Sequence, residues 1–172
     1  MQNNSSSYMN LSEEQKQILH NVAIEMAKKY RMMSVEEKDF MLKYCYDTLK
    51  PSMAAVMPQY DEVCNGSYGK FMTLVALDAV ACDGKATYLE SKAIEKVVRI
   101  AGGQPDLQAI QRMAEHNAKE NYVLAIAELL DISRRLTPSM RGIYLSFVLT
   151  VCTYDNEFNI IELSTIVNIL AP

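Results

Sequence analysis

Short helix-start signals recur along this chain, and they constrain its fold more than any other feature. Ser12-Glu-Glu-Gln15 and Ser34-Val-Glu-Glu37 match the capping box, in which a hydroxyl and a side chain three residues later satisfy the first amides of a helix. Thr87-Tyr-Leu-Glu90 has the same form. Apolar residues at helical spacing follow these signals, and no segment has sustained period-two alternation. We therefore expect an all-α fold of about eight helices.

Glycine and proline set the expected helix boundaries. They number only 6 and 5, and they fall between the apolar segments. Pro51 should stop the second helix, and the stretch 51–64, which also contains Pro58, should form one or two short turns. The expected helices run over 13–31, 35–49, 68–82, 87–101, 105–118, 120–135, 137–154 and 159–170.

The length of 172 residues suits one compact domain with a sizeable core. Apolar residues make up 49% of the chain and charged residues 22%, which is typical of a globular protein rather than a disordered one. Within this single domain we expect a mobile tail over residues 1–10, N-terminal helices over 11–66 and a helical core over 67–172.

Charge and hydropathy exclude several function classes. The net charge is −4 and the basic residues are scattered, so we expect no nucleic-acid partner. No apolar run approaches the roughly 20 residues that span a bilayer, and MQNNSSSYMN lacks the features of a secretory signal. The 4 cysteines form no CxxC pair, which favours a reducing compartment. We expect a cytoplasmic protein that does not span a membrane.

Two segments of the chain align without a gap when Asp83 is placed over Asp155. VALDAVACDGKATYLESKAIEKVV then lies over FVLTVCTYDNEFNIIELSTIVNIL. The shared pattern is an apolar helix, Asp, Gly or Asn, a short loop, a capping residue, Glu and an amphipathic helix. The identical pairs are Leu77 and Leu149, Asp83 and Asp155, Glu90 and Glu162, and Ile94 and Ile166. The repeat predicts two αα-hairpins related by an approximate symmetry.

These motifs resemble the TerB-like (tellurite-resistance) family over roughly residues 68–170. Ala81-Cys-Asp-Gly84 and Glu90 are similar to its first signature. The family's second signature is similar to Leu136-Thr-Pro-Ser-Met-Arg141, Tyr154-Asp-Asn156 and Glu162, with Asn156 where the family usually has Gly. The resemblance implies an all-helical module, associated with stress responses and membrane-linked complexes, whose acidic residues are suspected of binding divalent metal. It implies no catalytic activity.

The candidate site consists of acidic residues at the hairpin turns. We expect Asp78, Asp83 and Glu90 to converge at one hairpin mouth, and Asp155, Glu157 and Glu162 at the other. Clustered carboxylates repel one another unless a cation neutralises them, and all-oxygen ligation favours Ca²⁺ or Mg²⁺ over Zn²⁺. Cys82 and Cys152 flank these turns and could approach each other, with a buried thiol favoured over a zinc ligand.

A structural explanation of the same acids stays open. Glu90 and Glu162 can simply cap their helices, and Asp83-Gly84 can simply turn the chain. The alternative function is then a metal-independent helical interaction module. The sequence contains no G-x-S-x-G, Walker A or G-x-G-x-x-G motif, and His20 and His116 are isolated, so we expect no enzyme.

The methionines suggest where a partner could bind. There are 11 of them, and Met32, Met33, Met53 and Met57 lie in the least regular part of the chain. Flexible thioethers suit adaptable binding grooves, although Met also serves as core filler. We expect a protein partner, and homo-oligomerisation stays open.

Overall fold

The computed structural model describes residues 7–82, 87–115 and 118–172, except the side chains of 118–124. Within these ranges the chain forms nine α-helices and three short 3-10 turns, and no strand. The helices are α1 (Glu13–Arg31), α2 (Val35–Ser52), α3 (Asp61–Cys64), α4 (Tyr68–Ala81), α5 (Tyr88–Ile100), α6 (Leu107–Glu115), α7 (Ala118–Arg135), α8 (Pro138–Cys152) and α9 (Ile160–Leu170). The predicted all-α class is confirmed.

Four helices begin with a complete capping box. In each, the side chain of the N-cap residue accepts a hydrogen bond from the backbone amide of the third helical residue. The side chain of that third residue accepts a hydrogen bond from the backbone amide of the N-cap residue. The four N-cap residues are Ser12, Ser34, Thr87 and Asn159. This reciprocal bonding fixes the starts of α1, α2, α5 and α9 where the sequence predicts them.

The predicted stop of the second helix at Pro51 is wrong. Pro51 lies within α2, which continues to Ser52. A proline near the end of a helix removes one amide but leaves the next bond available, and the amide of Met53 does bond to the carbonyl of Leu49. Leu49 and Met53 are both fully buried, so core packing holds this last turn in place.

The core lies around α4 and α8, the two helices that are apolar almost all round. Helix α4 packs on α7, α5 and α8, while α8 packs on α2, α9 and α4. The hairpins α4–α5 and α8–α9 therefore meet along α4 and α8. Their buried aromatic side chains, Phe71 and Phe147, belong to the same hydrophobic cluster.

The N-terminal helices contribute to this same core. Leu42, Cys45 and Leu49 of α2 are fully buried, and α2 packs most extensively on α8. Residues 1–6 of the predicted mobile tail lie outside the described ranges, while Ser7–Asn10 form a 3-10 turn. In that turn the Tyr8 amide donates a 3.2 Å hydrogen bond to the carbonyl of Ala171.

None of the helices described is long and apolar enough to cross a bilayer.

Candidate functional site

A small cavity of about 30 Å³ lies where the two hairpins meet. Glu90 of the first hairpin lines it together with Asp155 and Glu162 of the second. The rest of its lining is mostly apolar, from Val80, Ala93, Ile94, Val97, Val151, Cys152 and Tyr154. A cavity of this size can hold a water molecule or a single ion. Three of the six predicted site residues thus share one cavity.

Glu90 and Glu162 occupy equivalent places in the two hairpins. Oε2 of Glu90 accepts the Thr87 amide at 2.6 Å, and Oε2 of Glu162 accepts the Asn159 amide at 2.9 Å. Glu162 is buried, whereas Glu90 is half-buried. The capping role predicted for both residues is therefore present. This capping role engages Oε2 of each carboxylate.

Asp155 belongs to the turn between α8 and α9. Its Oδ1 accepts the amide of Glu157 at 3.0 Å, which fixes the orientation of the carboxylate. The backbone of Asn156 is left-handed, with φ of 66°. Asn adopts this conformation more readily than most residues, so it can replace the Gly that occupies this position in the resembled family. Glu157 is exposed and does not line the cavity, contrary to the predicted convergence, and only its amide contacts Asp155.

Lys38 of α2 supplies a positive charge beside this second turn. Its Nζ donates to the carbonyl oxygen of Thr153 at 2.6 Å and to Oδ1 of Asn156 at 2.8 Å. The side chain is almost fully buried, and burial lowers the pKa of its ammonium group. The negative charge of Asp155 raises the pKa of this ammonium group, whereas the positive charge of Arg31 lowers it further. The carboxylate of Asp155 therefore lies within electrostatic reach of the ammonium.

The sequence analysis missed Lys38, although a signal was present. Lys38, Leu42, Cys45 and Leu49 follow one another at spacings of four, three and four, so Lys38 occupies a core-facing position of α2. A lysine at such a position needs a buried acceptor. The backbone carbonyl of Thr153, at the C-terminal end of α8, is that acceptor.

Asp78 lies apart from the other predicted ligands. It is buried on α4 with a hydrogen bond to Glu128 of α7, and its Oδ2 has no hydrogen-bond partner among the described residues. Burial, followed by the Glu128 carboxyl, raises the pKa of Asp78 well above its usual range. The Tyr144 hydroxyl of α8 is buried nearby and is likewise unpartnered within the described part of the chain. The predicted convergence of Asp78 with Glu90 is thus not observed, because Asp78 faces α7 from inside the core.

Asp83 lies outside the described residues, since the described ranges omit 83–86. Among the described residues, no group of three or more His, Cys, Asp or Glu side chains is close enough to hold a metal ion. Acidic residues from both hairpin turns nevertheless line the same cavity, since Glu90 lies there with Asp155 and Glu162. Packing of α4 against α8 brings the two turns to the same end of the core.

Cys82 and Cys152 come close together, as expected from their positions beside the turns. The carbonyl oxygen of Ala79 accepts a hydrogen bond from each thiol, at 3.1 Å from Sγ of Cys82 and 3.7 Å from Sγ of Cys152. Both residues are buried, and burial raises the pKa of Cys152 well above its usual range, with added effects of Glu162, Cys82 and Asp155. A protonated thiol is a poor metal ligand, which favours the buried-thiol interpretation.

The histidines are placed away from this cavity or outside the described chain. Nε2 of His20 lies 2.9 Å from the hydroxyl of Tyr8, and the two side chains form a hydrogen bond near the N-terminus. His116 lies outside the described residues.

No family model, curated protein or solved structure matches this chain. The TerB-like resemblance therefore stays a prediction that rests on the motifs themselves.

Proposed function

We propose that this protein is a non-enzymatic, TerB-like helical module that binds a divalent cation in the cavity between its two hairpins. A stress-associated role and a protein partner follow from the family resemblance and form part of the same proposal. The single observation that supports cation binding is the shared cavity, in which Glu90 of one repeat lies with Asp155 and Glu162 of the other.

The proposed ligands follow from the repeat. Asp155 would bind the ion directly, and Asp83, its counterpart in the first copy, would do the same from the other turn. Glu90 and Glu162 would serve as ligands or as caps that orient the turns. A donor set made only of oxygens selects Ca²⁺ or Mg²⁺, and the raised pKa of Cys152 disfavours Zn²⁺.

A specific observation supports the alternative, a metal-independent interaction module. The Lys38 ammonium already provides positive charge near Asp155, and both glutamates have capping bonds that account for their presence. In that case the turns would need no ion, and the helical surface alone would carry the function.

A thermal shift measurement distinguishes the two proposals. A ligand that binds only the folded state stabilises it by RT ln(1 + [L]/Kd), about 2.7 kcal/mol at a hundred times Kd. The metal-stripped protein should therefore melt at a higher temperature in Ca²⁺ or Mg²⁺, and Asp155→Asn should reduce the shift. An unchanged melting temperature at millimolar ion would instead support the metal-independent module.

A further inference from the structure

An apolar groove of about 680 Å³ separates α1 from α2. Helix α1 packs mainly on α9 and α2 mainly on α8, so the two consecutive helices diverge. Tyr30 of α1 and Met41 of α2 are partly buried and pack against the hydrophobic core on the inner side of the groove. The groove is lined by Met26, Lys29, Tyr30, Met33, Glu36, Glu37, Phe40 and Met41.

Exposed apolar side chains extend this groove along both helices. Phe40 is 70% exposed on α2, and Tyr44, one turn further along, is 51% exposed. Ile18 and Val22 precede Met26 on α1 at intervals of four residues and are also exposed. Protein interfaces are enriched in Met and aromatic residues, and contiguous exposed apolar side chains rimmed by polar residues are typical of interaction surfaces.

The charges on the two walls are opposite in sign. The last turn of α1 carries Lys28, Lys29 and Arg31, while the first turn of α2 carries Glu36 and Glu37. Lys29 and Glu36 both line the groove, one from each wall. An interface between identical copies requires a patch that complements itself, so that residue i meets j and j meets i.

We propose that a second copy of this chain covers this groove. A two-fold axis along the groove places the α1 wall of each copy against the α2 wall of the other. Lys29 then faces Glu36 twice, and Phe40 of each copy enters the apolar surface of the other. Helices α1 and α2 of both copies together form a four-helix arrangement around a shared apolar centre. This interface shares no lining residue with the proposed cation site.

Sedimentation equilibrium of the full chain under reducing conditions tests the proposal. We expect dimers at micromolar concentration and monomers for Phe40→Glu. Phe40 is exposed, so this variant should retain its helical circular dichroism. The matched control is Leu89→Glu on α5, where the replaced side chain is 78% exposed, and it should remain dimeric. A wild-type chain that stays monomeric up to hundreds of micromolar, or a Phe40→Glu variant that still dimerises, would overturn the proposal.

A charge-swap experiment identifies the pairing. Lys29→Glu and Glu36→Lys should each weaken homodimers at least about tenfold, because like charges then face each other twice. An equimolar mixture of the two variants should form heterodimers, since each restores the opposite charge for the other. Homodimers unaffected by either single substitution, or a mixture that stays monomeric, would rule out this two-fold arrangement.

Discussion

The ammonium of Lys38 on α2 donates a 2.6 Å hydrogen bond to the carbonyl oxygen of Thr153, at the C-terminal end of α8. It makes a second bond, at 2.8 Å, to the side chain of Asn156 in the following turn. One buried cation therefore connects the N-terminal helices to the turn that carries Asp155. The geometry of the candidate site depends on residues outside the repeat.

Lys38→Met should destabilise the fold by about 1–3 kcal/mol, because it leaves the buried carbonyl of Thr153 without this charged donor. Chemical denaturation monitored by circular dichroism measures the change. Asn156→Gly is the matched variant, since Gly keeps the left-handed backbone and loses only the side-chain acceptor, and it should cost less. A Lys38→Met variant as stable as the wild type would contradict this account of the turn.

Asp78→Asn should flatten the dependence of stability on pH. The folded-state pKa of Asp78 is raised above its usual value of 3.8, so the folded protein holds a proton that the unfolded chain has released. The free energy of unfolding should then fall as pH rises above about 4, by up to about 1.4 kcal/mol per pH unit from this group.

The Asn side chain does not titrate, so Asp78→Asn should gain stability relative to the wild type as pH increases from about 4 to 7. Urea unfolding at several pH values measures this difference. Glu14→Gln serves as control, because Glu14 is exposed and its removal should leave the slope unchanged. Parallel pH profiles for the wild type and Asp78→Asn would contradict the raised pKa.

Glu162→Gln should separate capping from ion binding. A glutamine at the third helical position still accepts the cap's amide, so stability without metal should change by less than about 1 kcal/mol. The loss of a carboxylate should weaken binding of Ca²⁺ or Mg²⁺ at least about tenfold. The comparison is Glu37→Gln, which makes the same change in the capping box of α2, does not line the cavity and should leave ion affinity unchanged. Equal affinities for both variants would place ion binding elsewhere.

The thiols should be unreactive in the folded protein. All four cysteines are buried and none of them forms a disulfide, and burial raises the pKa of Cys45 to about 12. Thiolate is the reactive form, so an aromatic disulfide reagent should label the native chain only slowly and the denatured chain rapidly at four sites. Fast labelling of any native thiol would contradict the burial of that cysteine.

Local signals predicted most of the helices. A capping box joins residues only three positions apart in the chain, so it can be recognised from the sequence. This applies to the four boxes that begin at Ser12, Ser34, Thr87 and Asn159. Pro51 misled the prediction because burial of Leu49 and Met53 is a tertiary effect that outweighs a local one. The repeat likewise predicted the equivalence of Glu90 and Glu162.

The arrangement of the site could be predicted only in part. The repeat assigned Asp155 and Glu162 to one mouth and Glu90 to another, whereas their common cavity depends on how α4 packs against α8. Asp78 has an apolar environment in the sequence, but its partner Glu128 lies on another helix, 50 residues away along the chain. Lys38 bonds across 115 residues, a pairing that helical periodicity alone cannot specify.

Isothermal titration calorimetry of the metal-stripped protein tests the proposed cation site most directly. Ca²⁺ and Mg²⁺ should give a saturable heat with the wild type and with Asp47→Asn, an exposed change on α2. The double variant Asp83→Asn with Asp155→Asn should give none. The absence of heat from the wild type at millimolar ion, or an undiminished heat from the double variant, would contradict a cation site between the two hairpins.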